Sequence, residues 1–375
     1  MVVKTVSKVV PEQNTNTSSN TVTKTVSTVS KVVPEQKTNT STAVKKVVKP
    51  LSKTETGDYD FLILGAGGSG LAGAMYAARL GLKTLVLGNT SGSELPVGGV
   101  ITTTNIVENY PGFTKTSGMF IAKQIENHAR DYNLVTIKEE KATDIKKLKD
   151  CYVVKTNKAE YKAKTILFAT GTKWKKLPET VKGSRELERK GVNYCALCDA
   201  PLYKDKVVAV IGGSDSAAKD ALFSTEHAKK VYIIYRGEQI HPEPINLERV
   251  KNNKKIEVIN NTNVKEIRGH NKVEEVLLDK PYNGSDTIKL DAIFVAIGHE
   301  ILSELAIKIG AKVNEGKEII IDHKTSETNL KGVFAAGDVT DKEFKQLITG
   351  VADGCTAAHS AYEFINNERV MPVKS

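Results

Sequence analysis

Apolar and glycine-rich segments follow one another in the same order at two places in the chain. The first place starts with the apolar run Phe61 to Leu64, continues through GAGGSG and an alanine-rich stretch, and ends with the run Thr84 to Leu87. The second starts at Val207, continues through GGSDSA and ends with the run Val231 to Tyr235. A strand, a tight turn, a helix and a second strand are typical of a dinucleotide-binding unit. The pattern predicts an α/β fold with two Rossmann-like, three-layer dinucleotide-binding domains.

Three glycines of the first turn have separate roles in this pattern. Gly65 permits the tight turn, Gly67 lets a pyrophosphate approach the backbone, and Gly70 lets the helix pack closely on the strand. The acid that usually holds the adenosine ribose, about 20 residues further on, is missing, and Gly88 stands at the strand end. The adenosine ribose must therefore be held in another way.

The second turn departs from the pattern at one position. Gly212 and Gly213 are present and Ala217 is the small packing residue, but Ser214 stands where a glycine is usual. Two dinucleotide sites in one chain imply electron transfer between two nucleotides. Because of Ser214 a second interpretation stays open, in which this unit is a structural duplicate without a ligand.

Two apolar runs that end in glycine mark the places where the chain crosses between the predicted domains. AKTILFATGTKW reaches Gly171 and LDAIFVAIGHE reaches Gly298. The first domain is therefore predicted to be discontinuous. The predicted parts are an FAD-binding domain of residues 57–171 and 295–368, an inserted NAD(P)H-binding domain of residues 172–294 that carries a cysteine pair, and a C-terminal tail of residues 369–375.

A third apolar run, GVFAAGDVTD, favours FAD as the nucleotide of the first domain. It ends in Gly337 and Asp338, and the carboxylate of Asp338 is suited to accept hydrogen bonds from a ribityl chain. An acid is thus absent after the second strand and present here, which fits FAD rather than NAD.

The basic charge of the chain lies mainly in its N-terminal segment. The formal net charge is +10, and residues 1–56 carry nine lysines and three glutamates. This segment repeats TVSKVVPEQ from Thr5 at Thr28, lacks aromatic residues, and is predicted to be a disordered low-complexity tail. A polyanion partner is disfavoured, and so is a mitochondrial transit peptide, because the first arginine is Arg79.

Composition limits the class of protein further. With 375 residues, 40% of them hydrophobic, the chain can build the cores of two domains. It contains no apolar run of the roughly 18 residues that a membrane helix needs, and its N-terminus lacks the apolar core of a secretory signal. We therefore expect a cytoplasmic protein with neither a membrane nor a nucleic-acid partner.

Two of the four cysteines stand close together in NYCALCDA, as Cys195 and Cys198, followed by Asp199. A zinc site needs four ligands, and the other cysteines, Cys151 and Cys355, are isolated. A structural disulfide is unusual in the cytosol. The spacing lets the two sulfurs form a bridge and commonly lowers the pKa of one thiol, so a redox pair is favoured over both alternatives. Asp199 adds a proton donor beside the leaving thiolate.

The sequence resembles the low-molecular-weight thioredoxin reductases, a group of FAD-dependent pyridine nucleotide-disulfide oxidoreductases. CALCDA is similar to their Cys-Ala-Thr-Cys-Asp-Gly redox motif, and GGVITTTNIVENYPGF is similar to a segment of their flavin domain. GGSDSAAKDAL resembles their second glycine motif, and FAAGDV with KQLITGVADGCTAA resembles their C-terminal flavin segment. The resemblance extends in order from Asp58 to Phe364.

This resemblance implies roles for the matching residues. Cys198 would face the flavin, Cys195 would be the interchange thiol that attacks the protein substrate, and Asp199 would be the general acid. A homodimer with a rotating nucleotide domain is also implied, since the disulfide and the nicotinamide cannot both touch the flavin at once. The implied contacts are Thr104, Asn109, Asp338 and Gln346 for the flavin, and Gly212, Gly213 and Ala217 for the nicotinamide nucleotide. With Gly65, Gly67, Gly70, Ser214, Arg236, Gly337 and Lys345 these make up the predicted cofactor-binding residues.

Three departures from the family concern single positions of its motifs. Val100 stands where the family has a flavin-contacting Gln, Lys345 where it usually has Arg, and Ala200 where it has Gly. None of them removes a reacting group.

A larger departure concerns the electron donor. Where the family has His-Arg-Arg and another Arg four positions on, this chain has Tyr235, Arg236, Gly237 and His241. Proteins hold the 2′-phosphate of NADPH best with bidentate arginines, so one arginine instead of three predicts weak discrimination between NADPH and NADH. In the other interpretation, lysines such as Lys229 or Lys230 replace the missing arginines.

The implied function is that of a flavoprotein disulfide reductase, a thioredoxin-disulfide reductase. Electrons would pass from NADPH or NADH through FAD and the cysteine pair to the disulfide of thioredoxin or a thioredoxin-like protein. Two alternatives keep the same flavin and cysteines: a dithiol oxidase that uses oxygen, and a reductase with a donor other than NADPH. A non-catalytic FAD-binding scaffold is disfavoured because it has no need of Cys195, Cys198 and Asp199.

Overall fold

A mixed sheet and a parallel sheet dominate the computed structural model, which describes residues 59–88 and 95–370. The predicted tail of residues 1–56 and residues 371–375 lie outside the described part of the chain. The strands are β1 (Tyr59–Leu64), β2 (Thr84–Gly88), β3 (Val135–Glu139), β4 (Ala142–Lys147), β5 (Tyr152–Thr156), β6 (Glu160–Phe168), β7 (Thr172–Trp174), β8 (Val192–Asn193), β9 (Val207–Ile211), β10 (Lys230–Ile234), β11 (Ile256–Ile259), β12 (Val264–Arg268), β13 (Glu275–Tyr282), β14 (Ser285–Lys289), β15 (Ala292–Val295), β16 (His299–Ile301) and β17 (Val333–Ala335). The helices are α1 (Gly68–Arg79), α2 (Gly118–Arg130), α3 (Ala196–Asp199), α4 (Asp215–Ser224), α5 (Pro244–Asn252), α6 (Glu304–Lys308) and α7 (Leu347–Val370). No helix in these two described ranges is both long and apolar enough to cross a membrane.

The first sheet has seven strands in the order β3-β2-β1-β6-β5-β4, with β17 also paired to β6. The pairs β1/β2, β2/β3, β1/β6 and β6/β17 are parallel, whereas β4/β5 and β5/β6 are antiparallel. The central strand β1 buries Phe61 to Leu64, none of which is more than 2% exposed. A strand with both faces covered by apolar side chains explains why this run is unbroken in the sequence.

The second sheet has five parallel strands in the order β11-β10-β9-β15-β8. In the sequence all five lie between β6 and β17 of the first sheet, so the first sheet is built from two separate stretches of chain. The antiparallel strands β12, β13 and β14 form a third sheet. Its buried side chains, such as Ile267 and Val276, share one core with Ile211 and Ile234 of the second sheet.

The two chain segments that connect the large sheets pair with each other. β7 follows β6 of the first sheet, and β16 follows β15 of the second sheet. They form a short antiparallel ribbon in which His299 lies opposite Trp174 and Ile301 opposite Thr172. Both crossings between the sheets therefore lie side by side.

Glycines bring helices α1 and α7 into close contact behind the turn that follows β1. A Cβ at Gly354 would lie 2.0 Å from the carbonyl oxygen of Ser69, and a Cβ at Gly73 would lie 3.0 Å from the carbonyl oxygen of Gly354. A Cβ at Gly337 would lie 2.3 Å from Oγ of Ser69. This packing holds the C-terminal segment of the chain against the first glycine turn.

Candidate active site

The turn after β1 is closely packed except at one glycine. Gly65 has a φ of +111°, which L side chains rarely adopt, and a Cβ there would lie 2.2 Å from the carbonyl oxygen of Ala169. A Cβ at Gly70 would lie 2.0 Å from the carbonyl oxygen of Gly65. At Gly67, by contrast, the nearest heavy atom would be 3.9 Å away. Helix α1 has no acidic residue in its first turn, so an anion such as a pyrophosphate fits at its N-terminus beside Gly67.

Polar side chains of the C-terminal segment face the cleft that begins at this turn. Asp338, Lys345 and Gln346 all line it. Nδ2 of Asn109 donates a hydrogen bond of 3.1 Å to Oε1 of Gln346, which joins two parts of the chain that are far apart in sequence. Nζ of Lys345 donates to the carbonyl oxygen of Asp338 at 3.0 Å and pairs with Glu318 at 2.8 Å. Lys345 thus holds the loop that presents the Asp338 carboxyl.

The carboxyl of Asp338 and a histidine influence each other in this cleft. Burial raises the pKa of Asp338, and the charges of Lys345 and His299 act in the opposite direction. Nearby protein atoms remove part of the water around the ring of His299 and so lower its pKa, although the residue still contacts solvent. The charge of Asp338 partly offsets this shift. His299 also lines the cleft. Sequence reasoning missed it, although its place directly after Gly298, at a predicted domain crossing, was a usable signal.

A cleft of about 2030 Å³ extends from the first glycine turn to helix α4 of the second unit. Its volume exceeds the roughly 300–1,000 Å³ of pockets for drug-sized ligands, so there is space for a dinucleotide. The predicted site residues that line it are Gly65, Gly67, Thr104, Asn109, Cys195, Ser214, Asp338, Lys345 and Gln346. Those that do not line it are Gly70, Cys198, Asp199, Gly212, Gly213, Ala217, Arg236 and Gly337. Among the latter, Gly70 and Gly337 are required for close packing, as the Cβ distances above show.

The two cysteines of NYCALCDA form a disulfide, with their Cα atoms 5.3 Å apart. Cys195 is the N-cap of the short helix α3, and its Sγ accepts a hydrogen bond of 3.1 Å from the backbone N–H of Cys198. Helix α3 contacts the 3-10 turn of residues 100–103, which lines the cleft next to the first glycine turn. In this arrangement Cys195 is buried and lines the cleft, whereas Cys198 is exposed. The assignment of Cys198 as the flavin-facing thiol therefore stays a prediction.

Asp199 lies at the end of α3, next to the disulfide. Asp199 is half-buried, and its backbone N–H donates a hydrogen bond of 3.1 Å to the carbonyl oxygen of Cys195. Burial raises the pKa of Asp199. A carboxyl with a raised pKa keeps its proton at a higher pH than an ordinary aspartic acid does, which suits a proton donor to a leaving thiolate.

The second glycine turn is built like the first but is covered on one side. Gly212 has a φ of +147°, a Cβ there would lie 2.1 Å from the carbonyl oxygen of Ala296, and Ala217 is fully buried behind it. Ser214 is the N-cap of α4 and lines the cleft. The ring of Tyr235, however, lies directly against Gly213. The turn and the helix fit a dinucleotide, whereas the tyrosine leaves no room beside Gly213.

Comparison with known proteins places this fold and cleft in a family. Residues 59–354 match the family model described as pyridine nucleotide-disulphide oxidoreductase. The chain belongs to this family. The chain is 36% identical over 313 residues to a 34.2 kDa protein in the rubredoxin operon of Clostridium pasteurianum. This alignment covers 82% of this chain and 98% of the relative. It is 35% identical to the thioredoxin reductase of Bacillus subtilis, covering 82% of this chain and 95% of that protein.

Solved structures give the same result for the fold of this oxidoreductase. The thioredoxin reductase of Lactococcus lactis in its FR conformation matches with a TM-score of 0.76 at 32% identity, covering 82% of this chain and 99% of that one. The thioredoxin reductase of T. acidophilum matches with a TM-score of 0.75 at 35% identity, covering 81% and 98%. The predicted family and the predicted α/β fold class with Rossmann-like domains are confirmed.

Two aspartates on helix α4 should make the stability of the oxidoreductase depend on pH. Burial raises the pKa of Asp220 to about 7. The folded protein therefore holds the proton of Asp220 more tightly than the unfolded chain does. This contribution to the stability of the fold is complete at low pH and is lost as the pH rises through about 7. We expect Asp220→Asn, which mimics the protonated form, to raise the melting temperature at pH 8.5 and to raise it much less at pH 4.5, as followed by circular dichroism.

Asp215, five residues earlier on the same helix, is the matched control. Burial acts to raise its pKa, but hydrogen bonds from Lys219 and Asn246 outweigh this and lower it. Because its pKa is lower in the folded protein, Asp215 stabilises the fold at any pH above the pKa that it has in the unfolded chain. Asp215→Asn should therefore lower the melting temperature at pH 8.5. Equal effects of the two substitutions at pH 8.5 would contradict the assignment of opposite shifts.

Proposed function

We propose that this chain is a flavoprotein disulfide reductase that passes electrons through FAD and the Cys195–Cys198 pair to the disulfide of thioredoxin or a thioredoxin-like protein. The observation that carries the proposal is the position of one cysteine of a disulfide, Cys195, on the wall of the cleft that also holds the first glycine turn and Asp338. The relatives and solved structures named thioredoxin reductase support the same function. The family description supports a nicotinamide cofactor as electron donor.

The domain organisation and assembly belong to the same proposal. The FAD-binding domain comprises residues 57–171 and 295–368, and the NAD(P)H-binding domain comprises residues 172–294. The sheet topology supports this division, because the strands of the second sheet all lie between those of the first in sequence. We further propose a cytoplasmic homodimer, by analogy with the family that the sequence resembles.

The described residues suit FAD in the first site. Gly67 leaves space for the pyrophosphate at the N-terminus of α1, and Asp338 presents a carboxyl to the cleft for the ribityl hydroxyls. The bonded side chains of Asn109 and Gln346 supply further donors and acceptors on the same wall. When bound, FAD supplies a carrier that takes up two electrons and releases them to a disulfide.

The cysteine pair performs the exchange with the protein substrate. Once reduced, Cys195 attacks one sulfur of the substrate disulfide as a thiolate, which forms a mixed disulfide and releases the other substrate sulfur as a thiolate. Asp199 donates the proton that this leaving thiolate takes up. Cys198 then attacks Cys195, re-forms the protein disulfide and releases the second substrate thiol. The substrate gains two electrons and two protons, and the cysteine pair loses two electrons and its two thiol protons, one of them by way of Asp199.

The function can be tested without a nicotinamide cofactor. FAD-loaded protein is reduced with dithionite, desalted under nitrogen, and mixed with oxidised thioredoxin while the flavin absorbance is followed. We expect reoxidation of the flavin with formation of about two thioredoxin dithiols per reduced flavin, one from the flavin and one from the cysteine pair that dithionite also reduces. A flavin that stays reduced in the presence of thioredoxin and is reoxidised only by oxygen would show that the chain is not a disulfide reductase.

The contribution of Asp338 to FAD binding is a separate prediction. Loss of a charged hydrogen-bond acceptor costs roughly 1.5–3 kcal/mol, so Asp338→Ala should weaken FAD binding about 10- to 100-fold. The only tryptophan of the chain, Trp174, lines the cleft, and quenching of its fluorescence by FAD provides the titration. Asp341→Ala is the control, because Asp341 is close in sequence but does not line the cleft. Equal affinities of the two variants would contradict the role of Asp338.

Donor discrimination is predicted to be weak. Arg236 is exposed beside the second unit, whereas Lys230, a proposed replacement for the missing arginines, already pairs with Glu257 at 2.5 Å. We expect kcat/KM for NADPH to exceed that for NADH by less than about 100-fold, equivalent to 2.7 kcal/mol. Arg236→Ala should remove the remaining preference, and Lys230→Ala should leave it unchanged. A preference above 100-fold in the wild type would show that the phosphate site is intact.

A further inference from the structure

One aromatic side chain occupies the place where a dinucleotide fold usually recognises the adenosine ribose. In such folds the residue that holds the ribose follows the second strand of the unit. Here the second strand is β10, and the next residue is Tyr235. Its ring folds back over the glycine turn at the start of the same unit instead of leaving this position open.

The ring of Tyr235 lies in a slot between two glycines. A Cβ at Gly213 would lie 2.5–2.6 Å from three ring carbons, and a Cβ at Gly237 would lie 2.6 Å from a ring carbon and 2.9 Å from the hydroxyl oxygen. Any other residue at either position would collide with the ring. The absence of a side chain at both positions therefore creates the space that the tyrosine fills.

A third residue holds the hydroxyl end of the ring in this slot. Oη of Tyr235 lies 3.3 Å from Nδ1 of His241, and the two ring centroids are 5.6 Å apart. The backbone N–H of His241 donates a hydrogen bond of 2.7 Å to the carbonyl oxygen of Gly213. The loop after β10 is thus tied to the glycine turn, and the half-buried tyrosine ring lies between them.

The cleft ends beside this ring. Ser214, Asp215 and Ser216, at the start of α4, line the cleft, but Gly213 and Tyr235 do not. Gly213 is buried. The open space therefore reaches the part of the unit where a pyrophosphate binds, and the tyrosine closes the part where the adenosine half would continue.

We propose that Tyr235 determines the affinity of the second unit for nicotinamide dinucleotides, because its ring occupies the position of the adenosine ribose and has to leave before either nucleotide binds. This inference rests on the proposed function and extends it. Loss of the arginines weakens the binding of NADPH alone, since only NADPH carries the 2′-phosphate. A ring in the ribose position weakens the binding of NADPH and of NADH to a similar degree. The effect of the ring can therefore be measured separately from the effect of the missing arginines.

Equilibrium binding tests the proposal without turnover. The Kd of NAD⁺ and of NADP⁺ is measured by isothermal titration calorimetry with oxidised, FAD-loaded protein. We expect a wild-type Kd above about 0.5 mM for both nucleotides, and a decrease of at least fivefold for both in Tyr235→Ala. Tyr235→Phe is the control: it keeps the ring, loses only the hydroxyl, and should bind within twofold of the wild type. Tyr235→Ser replaces the alanine variant if the latter does not retain FAD.

Each outcome decides the proposal. A wild-type Kd below 0.5 mM for either nucleotide overturns it, whatever the variants do. A decrease of less than fivefold on removal of the ring also overturns it, and an increase would show that the ring is a stacking surface for the adenine. Reoxidation of the dithionite-reduced flavin by thioredoxin should be equal in the wild type and Tyr235→Ala. Failure of that reaction in both proteins would refute the proposed function and leave the binding result to be judged by itself.

Discussion

Replacement of Cys195 or Cys198 by serine should lower the turnover of protein disulfides by about 10³-fold or more, while FAD remains bound. Both sulfurs are needed, because a mixed disulfide that forms at one cysteine is resolved only by the other. The readout is the steady-state reduction of thioredoxin. Cys151→Ser is the matched control, since Cys151 is a half-exposed free thiol remote in sequence from the pair, and it should keep full turnover.

The absorbance spectra of the same two variants distinguish the roles of the sulfurs. If Cys198 faces the flavin, Cys195→Ser leaves a thiolate beside it and should show a long-wavelength charge-transfer band at neutral pH, whereas Cys198→Ser should not. In the present arrangement Cys195 lines the cleft and Cys198 is exposed. A band in the Cys198→Ser protein would reverse the assignment and agree with that arrangement.

Two alanine substitutions in the first glycine turn should separate folding from FAD binding. At Gly70 the new Cβ would lie 2.0 Å from a backbone oxygen, so α1 must shift, and we expect Gly70→Ala to destabilise the protein without FAD by about 3 kcal/mol. At Gly67 the nearest heavy atom would be 3.9 Å away, so Gly67→Ala should change this stability by less than about 0.5 kcal/mol. Urea unfolding measures both.

The affinity for FAD should fall in Gly67→Ala, although this variant keeps its folded stability. The Cβ of Gly67→Ala would extend into open space beside the turn, where we propose that the pyrophosphate approaches, and we expect FAD binding to weaken about 100-fold. Fluorescence of Trp174 provides the titration. If Gly67→Ala binds FAD as tightly as the wild type does, the pyrophosphate does not lie at this face, and the proposed position of FAD is wrong.

The parts of the site that the sequence predicted are those with a local signal. Gly65 and Gly70 are identified by their spacing after an apolar strand, and Asp338 by its place after another, because each depends on its immediate chain neighbours. The cysteine pair is recognised in the same way. These features need no knowledge of the tertiary fold.

The parts that the sequence did not predict depend on contacts between distant segments. Tyr235 and Gly213 are 22 residues apart, and only the return of β10 beside β9 brings the ring onto the turn. His299 is a single histidine without a ligand spacing, so its proximity to Asp338 follows only from the fold. The raised pKa of Asp220 likewise arises from burial, which composition does not reveal.

The ribbon of β7 and β16 limits how the two large sheets can move relative to each other. If the chain crossed at two unconnected linkers, each sheet could tilt, slide or separate independently of the other. Because Trp174 and His299 are paired within one ribbon, a displacement that keeps these hydrogen bonds is mainly a twist about the long axis of the ribbon. We therefore expect the connection to act as a torsional joint, in which reorientation of the disulfide relative to the first glycine turn follows an arc about that axis.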